Sequence, residues 1–331
     1  MFEEGESSSD GRYWFLNKTS LNALKPIKVF VTLLSFFVVC ALNGQTQVEG
    51  YPSDFSLSRL VPLLPKNVRY LVHVDVQQAL REKNGQELKK LWITPMLEAY
   101  GTIVSPNVKW TPESMGSITY FGDGVYTNHS EQVYLFKPVS AQWLKKIRES
   151  FEADREAPAR YGYYAELKHD VVYVSQNREK LESALRKSEN LAPLLEKIPA
   201  SKGSYIELVF DQQLGDMLAL PMSVSQVIKE LERFRLYLFE QKDKCFLEFC
   251  FDFRTGSDVE SFSRQIQIAL SVLQVADEGN LMSQLQKPQA TVTGQTLTLK
   301  GEIPSMDGEV PKGYYLLLES LFGVEPKALS N

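Results

Sequence analysis

The stretch "VRYLVHVDV", residues 68–76, alternates so strictly that it leaves the chain few ways to fold. Tyr70, Val72, Val74 and Val76 fall on one side of an extended backbone, and Arg69, Leu71, His73 and Asp75 on the other. Such a segment reads as a β-strand with one face buried. The same phase recurs in "SYIELVFD", residues 204–211. Placing Asp75 over Asp211, an offset of 211 − 75 = 136, brings Tyr70, Val72 and Val74 onto Ile206, Leu208 and Phe210. Arg69, Leu71 and His73 then fall on Tyr205, Glu207 and Val209. A slip of one residue would turn every side chain over, so the shared phase has physical content. The pairs Gln77–Gln78 and Gln212–Gln213 fit an offset of 212 − 77 = 135, which places a one-residue gap at the strand end.

The elements that follow recur in the same order. After the first strand comes a helical stretch to about Trp92, then a second short helix capped by Thr94 with Pro95 in its first turn. "SITYF" and "QVYLF" make a hairpin, Ser140 caps a helix, "YGYYAEL" and "DVVYVSQ" make a second hairpin, and Asn177 opens "REKLESALRK". In the second half a helix is expected through Val227, Ile228, Leu231 and Phe234. "RLYLFEQ" and "KCFLEFCFDF" form a hairpin, and Val259, Phe262, Ile266, Leu270 and Leu273 mark an amphipathic helix. "ATVTG" and "TLTLKGEI" form the last hairpin, at Gly294 and Gln295. So many hairpins imply α+β architecture: two similar β-α-β-β-α-β-β units with largely antiparallel sheets and helices on one face. The recurrence reads as an internal duplication, with units at 66–200 and 201–331 meeting at "IPASKGS".

Ahead of these units the chain carries an address. No residue from Val29 to Leu42 is charged, and Lys18, Lys25 and Lys28 precede the run. The run is shorter than the ~20 residues of a comfortable membrane span and fits the core of a signal peptide. Positive charge stays on the cytoplasmic side, so the body is expected to be exported. Val39, Cys40 and Ala41 offer a small-residue cleavage site, whereas the acidic start of the long tail 1–28 argues for an uncleaved anchor. Both remain open: a cytoplasmic or disordered tail over 1–28, a signal or anchor over 29–42, and a linker over 43–65.

Charge and cysteine usage exclude several chemistries. The formal net charge is −5, and the four acids of the tail balance its four bases, so the body carries that charge. A mildly acidic body argues against nucleic acid, whose phosphates call for a basic face. Cys245 and Cys250 lie five residues apart, so on a strand they point to opposite faces with roughly 16 Å between them. They cannot bridge each other. The reading is one core thiol and one surface thiol, with no metal at ligand spacing. The three histidines are dispersed, and "FGDG" lacks the lysine and the helix of a phosphate loop. No cofactor is expected.

His73 and Asp75, two apart on the polar side of the first strand, are the weak catalytic candidates. A histidine with a carboxylate can be a general base and its orienter. Asp75 also ends a strand ahead of a helix, where its carboxylate can cap free N–H groups, and Asp211 is expected to do the same. The terminal "GYYLLLESLFG" reads as a packed helix, too short to span a membrane.

The opening "LVPLLPKNVRYLVHVDVQQAL", with Leu64, Pro65, Val72, Val74 and Asp75 at the matching positions, resembles a family of uncharacterised exported or membrane-anchored bacterial proteins. The resemblance extends over most of the body as a pattern of elements and implies export without implying an activity. Two function classes follow. One is an exported envelope protein with a non-catalytic binding or structural role, its partner a protein or a lipid-like ligand, held to the membrane through 29–42 if that segment is uncleaved. The other is an exported hydrolase whose active site the sequence does not reveal.

Overall fold

The structure, a computed structural model, describes residues 55–124, 129–186, 203–211, 231–242, 244–256, 259–260, 262–263 and 286–303. The tail, the apolar run and "GYYLLLESLFG" lie outside the described residues. Among the described residues no helix is long and apolar enough to cross a membrane.

The strands are β1 (Tyr70–Asp75), β2 (Met115–Gly122), β3 (Val133–Pro138), β4 (Tyr164–Lys168), β5 (Val171–Ser175), β6 (Ile206–Asp211), β7 (Leu231–Gln241), β8 (Lys244–Phe253), β9 (Gln286–Thr293) and β10 (Thr296–Ile303). Among the described residues they form one ten-stranded sheet in the order β4-β5-β3-β2-β1-β6-β7-β8-β10-β9, and every neighbouring pair is antiparallel. With its helices, the architecture is α+β, as expected. The halves meet where β1 pairs with β6, Tyr70 opposite Phe210, Val72 opposite Leu208 and Val74 opposite Ile206. Read outward from that junction, the first half runs β1-β2-β3-β5-β4 and the second β6-β7-β8-β10-β9.

The hairpin turns fall where their chemistry allows. The β4–β5 turn places His169 at φ 51° and Asp170 at φ 59°, the two left-handed residues of a type I′ turn. Lys242 (φ 52°) and Gly294 (φ 60°) serve the β7–β8 and β9–β10 turns.

One face of the sheet carries Tyr70, Val72, Val74, Ile118, Phe136, Leu208, Leu236, Phe249, Leu297 and Leu299 in a single apolar cluster. Against it pack α2 (Val76–Arg81), α3 (Gly85–Leu88), α4 (Thr94–Val104) and α5 (Ala141–Ala153), followed in the chain by the short α6 (Ala157–Arg160), through Ala79, Leu88, Leu97, Val104 and Ile147. Close approach needs glycine at several positions, Gly122 and Gly101 among them. A Cβ at Gly122 would lie 2.3 Å from the hydroxyl of Tyr70, its cross-strand neighbour. One at Gly101 would lie 2.8 Å from the Trp110 ring.

The helices are not confined to that face. On the opposite side α1 (Leu57–Leu60) and α7 (Arg178–Leu185) cover Leu71, Phe121, Leu135, Tyr173 and Val209, through Leu57, Leu181 and Ala184. This corrects the one-face reading, and with it the reading of β1, all six of whose residues are buried. Alternation fixes which side chains share a face; it does not say that the second face is bare.

Two local expectations also change. Thr94 caps nothing. A π-helical turn over Lys89–Ile93 joins α3 to α4, and Ile93 already has helical dihedrals (φ −61°, ψ −50°). Leu231 and Phe234 lie in β7, not in a helix, because Phe234 packs beside Phe210 and Phe251 in the sheet. Val259 and Phe262 are helical, and the remainder of that expected helix lies outside the described residues. Ser140 and Asn177 do cap, accepting from the N–H of Trp143 and of Lys180. Glu240, near the end of β7, accepts from the N–H groups of Lys83 (3.1 Å) and Asn84 (2.6 Å), where α2 breaks before α3. That contact ties the first half's helix layer to the second half's sheet.

Candidate functional site at the sheet junction

The registers place a row of polar side chains across the face opposite the main core. Thr119 faces His73, His73 faces Glu207, Glu207 faces Tyr237, Tyr237 faces Glu248 and Glu248 faces Lys300. His73 and Glu207 stand on the two sides of the β1–β6 junction. His73 is wholly buried, and Glu207 is 1% exposed.

His73 does not pair with Asp75. Its Nδ1 lies 2.8 Å from the Thr119 hydroxyl. Burial lowers its pKa from the ordinary 6.5 to about 3, because a charge there would lose its hydration. The ring is therefore neutral at physiological pH. Asp75 turns to its own helix, its Oδ1 accepting from the N–H of Gln78 at 2.8 Å, the cap expected from its place. A histidine bonded to a hydroxyl is half of a nucleophile–base arrangement. Here both residues are 0% exposed, so no substrate reaches either one.

Beside the row lies a cluster of charge that alternation alone does not reveal. Asp252 accepts from Arg235 through two bonds, Nε at 3.1 Å and Nη2 at 2.7 Å. It also accepts from Arg233 Nε (2.9 Å) and the Thr296 hydroxyl (2.8 Å). Burial pushes the Asp252 carboxyl up, but the guanidinium groups outweigh it and hold the carboxyl below its usual range. Arg235 also donates to the Tyr237 hydroxyl at 3.2 Å. In the sequence the cluster shows only as charges set into otherwise apolar strands, Arg233 and Arg235 in "RFRLYLF" and Asp252 in "CFLEFCFDF". Asp211 accepts from Arg69 Nε at 3.0 Å, and the helix it was expected to cap lies outside the described residues.

The thiols are core groups. Cys245 and Cys250 are both free and buried, which corrects the reading of one as a surface thiol. They do face opposite sides, Cys245 in the main core and Cys250 beside Tyr237 and Phe239. Burial pushes the Cys245 thiol up to about 12, so it is not a thiolate at neutral pH. The histidines stay apart: His73 in β1, His169 in the β4–β5 turn, His129 in a short 3₁₀ turn before β3. Among the described residues no three His, Cys, Asp or Glu side chains could hold a metal ion together.

No family model matches this chain, and no curated protein matches it. Among solved structures it is similar to three crystal forms of a protein named TP0453. Form I gives a TM-score of 0.41 at 11% identity, over 78% of this chain and 96% of that one. Form IV gives 0.39 at 9% identity, over 78% and 96%. Form III gives 0.36 at 11% identity, over 78% and 97%. Likeness at this level carries no argument about what the chain does.

Proposed function

We propose that this protein is an exported envelope protein with a non-catalytic binding or structural role, held at the membrane through residues 29–42 where that segment is not cut. The observation that carries the reading is the fate of His73 and Asp75. One is sealed, neutral and bonded to a buried threonine; the other caps a helix. The charges nearby are engaged with one another, as Arg235, Arg233 and Asp252 are. These groups stabilise a wide sheet and leave chemistry to none of the side chains named. The export half of the proposal rests on the lysines that flank the apolar run on its N-terminal side.

We propose also that the two halves descend from one duplicated unit. Strand order outward from the junction is the same in both. The offset of 211 − 75 = 136 sets Val72 over Leu208, the residues that face each other there. A local two-fold relation between the halves requires that coincidence.

Capture of partners from native envelope on the tagged full chain, with both proteins and lipids identified, tests the function. Enrichment of one protein or one lipid class over an unrelated exported control supports a binding role. Hydrolysis of ester, peptide or glycoside substrates by the purified chain, lost on His73→Gln, would overturn it.

A further inference from the structure

A sheet that does not close has two edges, and each edge strand presents unpaired backbone N–H and C=O groups. Among the described residues the edges are β4 and β9. The large apolar side chains most exposed among the described residues all lie beside these edges: Tyr161 and Tyr164 at β4, and Val292 on β9.

The two edges differ in kind. β9 contains Pro288, which has no N–H to give, and its register with β10 shifts between Lys300 and Glu302. Both features blunt an edge. β4 has neither; it runs in unbroken register with β5 from Tyr164 to Lys168. The type I′ turn closes on Lys168 and Val171. Lys168, Glu166 and Tyr164 therefore direct their N–H and C=O to β5, while Ala165 and Leu167 direct theirs outward.

We propose that β4 is the interface of a homodimer, pairing antiparallel with β4 of a second copy about a two-fold axis at Leu167. In that register Leu167 faces its own counterpart and exchanges two backbone hydrogen bonds with it. Glu166 falls opposite Lys168 of the second copy, and Lys168 opposite its Glu166, on the same face of the joined sheet. The two complementary pairs select this register. Centring on Glu166 instead would set two carboxylates against each other, which costs stability. Tyr164 and Tyr161 lie at the rim of the joint, where their exposed rings gain cover. The Lys168 ammonium now rests on the Leu185 carbonyl at 2.5 Å, an exposed contact that it can exchange for a carboxylate.

The test is sedimentation velocity on the purified full-length chain across a wide range of concentration, with three variants. The wild type is expected to dimerise. Glu166→Lys and Lys168→Glu, each setting like charges across the joint, should move the monomer–dimer midpoint about tenfold higher in concentration. The double variant, which exchanges the two signs, should return the midpoint close to the wild type. All three changes are on the exposed edge, and circular dichroism should be unaltered. A wild type that stays monomeric at every concentration overturns the proposal; the charges would then guard the edge instead of joining it. A dimer indifferent to the single changes, or one not rescued by the double change, overturns it equally.

Discussion

Replacing His73 by glutamine should remove one component of the protein's acid sensitivity, and its size follows from where the ring sits. In the folded chain His73 is wholly buried and its pKa lies near 3, against an ordinary value of 6.5. The folded-state pKa is depressed, so between those values the unfolded chain binds a proton that the folded chain refuses. The group costs no stability above pH 6.5, and stability falls as pH drops from there toward 3. Each pH unit in that window is worth about 1.4 kcal/mol. At pH 4.5 the loss relative to neutral and higher pH is therefore about 2.7 kcal/mol, a large part of the 5–15 kcal/mol typical of a folded domain. Asp252 is shifted in the stabilising sense: its depressed carboxyl withdraws stability as pH falls through its ordinary value of 3.8 and below, and it does so equally in the wild type and the variant. The assay is urea unfolding at half-unit steps of pH, for the wild type and His73→Gln. Glutamine keeps an amide to bond Thr119 but does not titrate in this range. The wild-type free energy should fall more steeply than that of the variant by about 1.4 kcal/mol per unit below pH 6. Parallel slopes would mean that His73 titrates normally, and the sealed site described above would be wrong.

Arg235→Met leaves Asp252 buried with one of its guanidinium partners gone, and should cost about 3–5 kcal/mol in chemical denaturation; adding Asp252→Leu should recover much of that loss. Gly122→Ala should destabilise by about 1–3 kcal/mol in chemical denaturation, because its methyl group must displace the Tyr70 ring as well as its hydroxyl. Cys245 and Cys250 should resist a thiol-alkylating reagent at pH 8 in the native chain and react on addition of denaturant, as followed by mass spectrometry; rapid labelling of native protein at Cys245 would contradict its burial.

Much of the sheet is legible in the sequence because strands and tight turns are local. The phase of Tyr70, Val72 and Val74 against Ile206, Leu208 and Phe210 is visible by eye, and the structure puts all six in one core. The hairpin between β4 and β5 is written in His169 and Asp170, and the caps in Ser140 and Asn177. What is not local is not legible. Whether the second face of β1 is bare depends on α1 and α7, which arrive from other parts of the chain. Leu231 and Phe234 have helical spacing, yet their aromatic neighbours across the sheet decide for a strand. The buried charge cluster needs three strands to assemble: Arg233 and Arg235 on β7, Asp252 on β8 and Thr296 on β10. From one strand at a time, each looks like a solvated position. His73 and Asp75 show the converse. Their spacing suggests a dyad, and only the register with Thr119 shows that the ring looks elsewhere.

Export is the claim on which the rest of the functional account depends, and topology reporters test it most directly. A pair of fusions placed after residue 60 would carry, in turn, a reporter active only outside the cytoplasm and one active only within it. The account predicts activity of the first and silence of the second, with the lysines at 18, 25 and 28 left on the inner side. Activity of the cytoplasmic reporter with silence of the other would contradict it.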